Sequence, residues 1–209
     1  MTLDPPAAFV LTAVLAAGYL IGSVPFGLIA TRLGGAGDIR SIGSGNIGAT
    51  NVLRTGRRDL ALITLLGDGG KGAVAVLLAG ALVSPLAAAV AGGGAFLGHL
   101  FPVWLSFRGG KGVATFFGIL FALAWPAGLA AGAAWIVMAL LFRFSSLAAL
   151  TAAALSPVWL VLLNQATPER LGLSLGMAAL IIMRHQANIR RLIKGEEPRI
   201  GGARQAAAS

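Results

Sequence analysis

The stretch VATFFGILFALAWPAGLAAGAAWIVMALLF, residues 113–142, contains no charged side chain and is broken once, at Trp125-Pro126. It is too long for one ideal membrane span of ~20 residues and too short for two full ones. A proline inside a helix removes a backbone donor and clashes with the preceding turn. Read as two helices that meet at Pro126, the stretch keeps the basic C-terminal tail on the same side as most other Lys and Arg. Read as one helix, it puts the tail outside and breaks the positive-inside rule. The two-helix reading is preferred.

The rest of the chain agrees with a membrane class. Of its 209 residues, 57% are hydrophobic and 11% charged, with a mean hydropathy of +0.86. A soluble domain carries about a quarter charged residues. Apolar runs extend over Ala7–Thr31, Leu60–Leu66, Ala73–Leu97, Ser145–Leu163 and Leu171–Met183. The expected fold is therefore all-α: a polytopic membrane protein with about seven transmembrane helices, some short or broken. Its N-terminus is outside and its C-terminus cytoplasmic, which puts Lys71 and Arg170 outside and the remaining Lys and Arg inside. A single integral membrane domain is expected over 1–200, with a disordered tail over 201–209. The N-terminus has no positive region and no clear cleavage site, so the first run reads as a retained span.

The 30 glycines suit close helix packing in lipid. The absence of Cys excludes disulfides and thiolate metal sites, and two His make a histidine-rich metal site a poor expectation. A net charge of +9 could indicate nucleic acid, but in a membrane chain topology and anionic headgroups account for it, so no nucleic-acid partner is expected.

Four polar stretches carry candidate chemistry. In Asp38–Arg54, Gly43, Gly45 and Gly48 alternate with Ser44, Asn46, Thr50 and Asn51. Glycines permit turns that aim successive N–H groups at an anion, and Arg54 adds a planar fork for phosphate. The stretch does not match a nucleotide-binding GxxxxGK[ST] loop. In Gly98–Thr115, His99 precedes Arg108, Gly109, Gly110 and Lys111, which lead into an apolar helix. A glycine-rich helix entry beside cations is a phosphate seat; the plainer reading makes Arg108 and Lys111 interfacial anchors, Trp104 and Phe107 belt aromatics, and His99 structural. In Gly67–Gly72, Asp68 and Lys71 are spaced to form a structural ion pair at a helix break, although intramembrane charges are functional by default. Asp59 and Asp68 bracket a segment of about 12 Å, too short to cross a core of ~30 Å, so either Asp68 and Lys71 lie inside the protein at membrane depth or the helix is discontinuous. In Arg184–Glu197, His185 and Asn188 share one helix face, while Arg190, Arg191 and Lys194 hold the tail inside. Pro25 is expected to kink the first span and free backbone groups.

These stretches, with Gly22–Gly27 and in matching order over nearly the whole chain, resemble the bacterial acyl-phosphate:glycerol-3-phosphate acyltransferase family (PlsY). Thr55-Gly56-Arg57 departs from it, where a more apolar or glycine-rich stretch is expected. The resemblance implies a fatty acyl-phosphate donor, glycerol-3-phosphate as acceptor, and lysophosphatidic acid and inorganic phosphate as products. It implies an active site on the cytoplasmic face of the bacterial inner membrane and no metal or organic cofactor. Membrane lipids are the surrounding partners, and a monomer is expected.

On that basis Lys111, Arg54 and Arg108 are assigned to phosphate charge. The N–H groups around Ser44, Gly45 and Asn46 would hold a phosphate or the developing oxyanion, and His185 and Asn188 would position glycerol-3-phosphate. Gly43, Thr50, Asn51, Lys71, Gly109 and Gly110 complete the substrate-binding set; Ser44, His99, Lys111 and His185 form the catalytic set. His99, His185 and a substrate phosphate oxygen are all candidates for the base. Ser44 ranks as a binding residue, since no base partner is evident. Two other classes compete: an intramembrane Ser–His protease, which a fluorophosphonate probe would label, and an organophosphate transporter. The one-sided distribution of charge argues against the transporter.

Overall fold

In the computed structural model, which describes residues 4–202, every regular element is helical. Five helical stretches are long and apolar enough to cross a membrane: Pro5–Leu33, Arg58–Leu82, Pro85–Leu105, Trp125–Phe142 and Ser145–Leu162. Backbone contacts sort the chain into two compact units, Met1–Leu123 and Ala124–Ser209.

In the first unit, α1 (Pro5–Gly22) ends where Ser23-Val24-Pro25 interrupts the run, and α2 (Phe26–Leu33) follows. A short α3 (Ala49–Val52) lies within the polar loop that leads to α4 (Arg58–Leu82). Helix α4 corrects one expectation: the short segment Leu60–Leu66 does not stop at Gly67–Gly72. The helix runs through the glycines for 25 residues, about 37 Å at 1.5 Å per residue, enough for a ~30 Å core. The break falls later, at Val83-Ser84, and divides the expected run Ala73–Leu97. There Ser84 is extended, its hydroxyl accepts from the Ala87 N–H at 3.1 Å, and Pro85 opens α5 (Pro85–Leu100). Lys71 is thus inside the protein midway along α4 and 5% exposed, not on an outer loop.

Helices α1 and α5 run parallel and meet backbone to backbone. A methyl group on Gly18 or Gly22 would overlap the Ala91 or Ala95 carbonyl, and one on Gly94 or Gly98 would overlap the Leu15 or Tyr19 carbonyl. Each helix contributes a Gly-x-x-x-Gly pair, the spacing that lets membrane helices approach closely where no hydrophobic effect drives them together. Helix α6 (Val113–Leu123) packs on α4 in the same way, with Gly118 against the Gly69 backbone.

In the second unit, α7 (Trp125–Phe142) begins after Ala124, so the stretch 113–142 is two helices as expected. Helix α6 has 11 residues. Helix α8 (Ser145–Leu162) contains Pro157, which cannot donate to the Ala153 carbonyl; the Ser156 hydroxyl donates to that carbonyl instead at 2.8 Å. Ser156 also meets Ser174 of α9 (Pro168–Arg184) at 2.8 Å. After α10 (Gln186–Lys194) the chain returns to Arg143, whose carbonyl accepts from the Ile200 N–H at 2.6 Å. Of the expected tail, Gly201 and Gly202 are exposed, and residues 203–209 lie outside the described residues.

The α1–α5 contact is expected to limit stability. Gly22→Val should cost about 1–3 kcal/mol by overpacking, read as a lowered unfolding midpoint in detergent. Gly176→Ala in α9, where nothing lies within 4 Å of the added methyl, should leave the midpoint unchanged or raise it.

Candidate active site

The polar loop between α2 and α4 is anchored from below by the buried Leu28, Ile39, Ile47, Val52, Leu60 and Ala61. Its hub is Asn51, 2% exposed. The Asn51 side-chain amide donates to the carbonyls of Ile39, Ile42 and Asn46 at 2.9–3.1 Å, and its oxygen accepts from the Ser44 N–H at 3.1 Å. Asn51, expected to bind substrate, is therefore turned inward to hold the loop. The expected nest also changes: the Ser44 N–H goes to Asn51, and the Gly45 N–H goes to the Ile42 carbonyl at 3.0 Å. Those two amides are not aimed at an anion. The Ser44 side chain is exposed, as is Thr50, while Asn46 is half-buried and accepts from the Gly48 N–H at 2.9 Å.

Gly43 has φ +54°, and a side chain there would strike the Asn51 oxygen and the Arg54 guanidinium. Glycine thus allows both the left-handed turn and the lie of Arg54 across it. The loop's cations divide into two kinds. Arg40 chelates Asp38, and hydrogen bonding by that guanidinium holds the Asp38 carboxyl far below the ordinary range. Arg57 pairs with Asp59 and donates to the Gly34 carbonyl at 2.8 Å. Arg54 and Arg108 are exposed and have no carboxylate partner among the described residues.

The second polar loop, residues 101–112, lies at the same end of this unit. Leu105 packs on the apolar anchor of the first loop. Trp104 donates its indole N–H to the Ser23 carbonyl at 2.8 Å, so a residue expected only as a belt aromatic also caps the break after α1. The loop closes on the end of α5: the Gly109 N–H bonds the Leu100 carbonyl and the Gly110 N–H bonds the His99 carbonyl, both at 3.1 Å. Gly110 is buried against the Nε2 edge of the His99 ring, where any side chain would overlap Nε2. Lys111 follows, half-buried, just before α6 begins.

Beneath this loop lies a buried polar cluster. Lys71 Nζ donates to Asp68 Oδ1 at 2.7 Å and to the Val24 carbonyl, released by the α1 break, at 2.8 Å. His99 Nδ1 is 3.5 Å from the same Asp68 oxygen. The Thr115 hydroxyl donates to the Asp68 carbonyl at 2.9 Å. Asp68, Lys71 and His99 are all at most 5% exposed. The ion pair was legible from the spacing of Asp68 and Lys71; the approach of His99 was not.

In the second unit, His185 is buried with Nδ1 2.8 Å from the Ile181 carbonyl, which fixes a proton on that nitrogen. Asn188 donates to Glu197 at 2.6 Å. Ser146 donates to the same Glu197 oxygen at 2.6 Å, and Arg191 binds its other oxygen at 2.7 Å. Arg191, read as a topology determinant, is thus also a structural partner. The sequence points to Glu197 only as a carboxylate after a basic helix in a chain with 7 Asp and Glu. Among the described residues no group of three or more His, Cys, Asp or Glu comes together that could hold a metal ion.

These features define an integral membrane protein with a cationic, glycine-rich loop site above a buried charge cluster. Residues 12–195 match the family model for glycerol-3-phosphate acyltransferase, and the chain belongs to that family. It is 69% identical over 186 residues to the glycerol-3-phosphate acyltransferase of Caulobacter vibrioides strain NA1000, covering 88% of this chain and 85% of the relative. It is 58% identical over 208 residues to that of Rhodospirillum rubrum, covering 96% and 95%. Among solved structures, it is similar to the integral membrane glycerol 3-phosphate acyltransferase PlsY (YgiH) in its glycerol 3-phosphate form, with a TM-score of 0.86 and 35% identity over 91% of this chain and 96% of that one. The lysophosphatidic acid form of the same enzyme gives a TM-score of 0.83 at 32% identity over 92% and 96%.

The Glu197 cluster generates a pH prediction. Burial pushes its carboxyl up, but hydrogen bonds from Ser146, Asn188 and Arg191 outweigh burial and hold it below the ordinary range. Its ionised form therefore stabilises the fold at pH values above the unfolded carboxylate pKa, about 4.3. That contribution is lost as pH falls through the lower folded value. The unfolding midpoint should fall on acidification below about pH 4. Glu197→Gln should lower it at neutral pH and flatten the acid limb.

Proposed function

We propose that this protein transfers a fatty acyl group from an acyl-phosphate to the sn-1 hydroxyl of glycerol-3-phosphate, releasing lysophosphatidic acid and inorganic phosphate. The single observation that carries this reading is the pair of loops sharing one apolar anchor, with Arg54 and Arg108 left without carboxylate partners among the described residues. Family membership supplies the acceptor. The resemblance implies the donor: an acyl-phosphate is a mixed anhydride, already activated, and a site built of cations and glycines is consistent with it. Its task is to hold two phosphates together against their repulsion and to exclude water.

In the proposed step the glycerol-3-phosphate hydroxyl oxygen attacks the acyl carbonyl carbon. The bond from that carbon to the phosphate oxygen then breaks with its electron pair, and inorganic phosphate leaves. Arg54, Arg108 and Lys111 offset the phosphate charge, and the Ser44 hydroxyl donates to a substrate oxygen. Gly43 and Asn51 hold the loop that presents them. The crowding of His99 by Asp68 and Gly110 favours a substrate phosphate oxygen as the acceptor of the hydroxyl proton. His185 and Asn188 retain the acceptor-positioning role implied by the family resemblance. Residues 1–200 act as one enzyme, as the span of the family match across both units supports. It works as a monomer in the bacterial inner membrane, with about seven crossings, its N-terminus outside and the loop site facing the cytoplasm.

Purified protein in detergent, given palmitoyl phosphate and glycerol-3-phosphate, should release inorganic phosphate and form lysophosphatidic acid, detected by mass spectrometry. Palmitoyl-CoA should give none. Absence of product from folded, monodisperse protein would remove this reading. Lys111→Ala should lower turnover at least about hundredfold with little change in the unfolding midpoint; near-normal turnover would sink its charge-offset role.

A further inference from the structure

We propose that Asp68 is a positioning residue: through the His99 ring it fixes Gly110, and with it the placement of Lys111 at the entry to α6. This deepens the reading above and rests on it for the role of Lys111.

The chain of contacts is continuous within the first unit. Asp68 Oδ1 receives Lys71 Nζ at 2.7 Å and faces His99 Nδ1 at 3.5 Å. The opposite edge of that ring, Nε2, is the surface on which Gly110 lies without room for a Cβ. The backbone of the same residues closes the loop, through the Gly110 N–H and the His99 carbonyl at 3.1 Å. A second strut reaches the same helical turn from the far side of Lys111, where the Thr115 hydroxyl donates to the Asp68 carbonyl at 2.9 Å. Lys111 is therefore held between two attachments to one turn of α4, neither of which involves its own side chain.

A plainer role for Asp68 would be to neutralise Lys71, since each charge alone is costly at membrane depth. That role does not account for the third partner. A carboxylate that served only Lys71 would have no need of a buried imidazole at its edge, nor of a glycine closed against the Nε2 edge of that imidazole. Charge on Asp68 also favours the tautomer in which Nδ1 carries the proton, so the Nε2 edge facing Gly110 has a defined chemistry.

The test compares wild-type protein with Asp68→Asn, which keeps the shape and removes the charge. With palmitoyl phosphate and glycerol-3-phosphate, Asp68→Asn should raise KM for one of the two at least about tenfold while kcat changes less. In a Lys111→Gln background the same substitution should cost less than about twofold, because the residue it acts through is gone. Full additivity of the two substitutions, or an unchanged KM, would overturn the proposal. His99→Gln, which keeps an amide near the Nε2 position, should retain more activity than His99→Ala; equal loss counts against it. If Asp68→Asn does not fold, the paired Asp68→Leu and Lys71→Leu variant removes both charges together. It should remain impaired, and wild-type activity in it would reduce Asp68 to charge neutralisation. Hydrogen exchange of the amides from Gly109 to Gly112 is read independently of the reaction. It should speed at least tenfold in Asp68→Asn, and unchanged exchange would overturn the positioning claim even if the acyl-transfer reading failed.

Discussion

An ion pair buried midway along a helix of membrane length has to find every partner it needs inside the protein, because lipid offers none. Asp68 and Lys71 set that requirement here, and much of the first unit is arranged to meet it. An unpaired charge at such a depth costs several kcal/mol. Pairing the two leaves the other donors of Lys71 and the remaining lone pairs of Asp68 to be satisfied. The α1 break at Ser23–Pro25 supplies the Val24 carbonyl for Lys71. The end of α5 brings His99 to Asp68, and the start of α6 brings Thr115 to the backbone of the same turn. A helix break, a helix end and a helix start thus converge on one turn of α4.

That convergence depends on how closely the helices approach. Helices in lipid gain little from burying apolar surface against each other, so contact must come from packing. The paired glycines of α1 and α5 bring two backbones together, and Gly118 does the same for α6 on α4. With ordinary side chains at those positions the helices would stand apart. His99 would then sit farther from Asp68 than the observed 3.5 Å. Glycine in this protein serves two separate ends: close packing within the spans, and left-handed turns in the loop, where Gly43 lets Arg54 lie across the backbone.

The loops above this cluster divide their charge between structure and surface. Arg40 and Arg57 are neutralised by neighbouring carboxylates and brace the chain, whereas Arg54 and Arg108 face outward without carboxylate partners among the described residues. Exposed pairs of this kind contribute little to stability, so their main effect is to remove two cations from the field at the site. The uncompensated cations that remain suit anionic substrates whose mutual repulsion is the chief obstacle to their meeting.

The amino-acid sequence alone carries the membrane class, the two-helix reading of residues 113–142, the polar loops and the pairing of Asp68 with Lys71. These follow from hydropathy, from proline and from short spacings, all of which act between near neighbours along the chain. It left open whether Asp68 and Lys71 lie inside the protein or at a break in the second helix, because a glycine-rich hexapeptide around two charges looks like a break when its partners are unknown. It likewise assigned Asn51 and the Ser44 and Gly45 amides to substrate, although they hold the loop itself. The continuity of α4, the place of His99 between Asp68 and Gly110, and the gathering of Ser146, Asn188 and Arg191 around Glu197 emerge from the folded chain. In each case a buried polar atom takes whichever partner the packing brings to it: His99 comes to Asp68 from α5, and Ser146 comes to Glu197 from the start of α8.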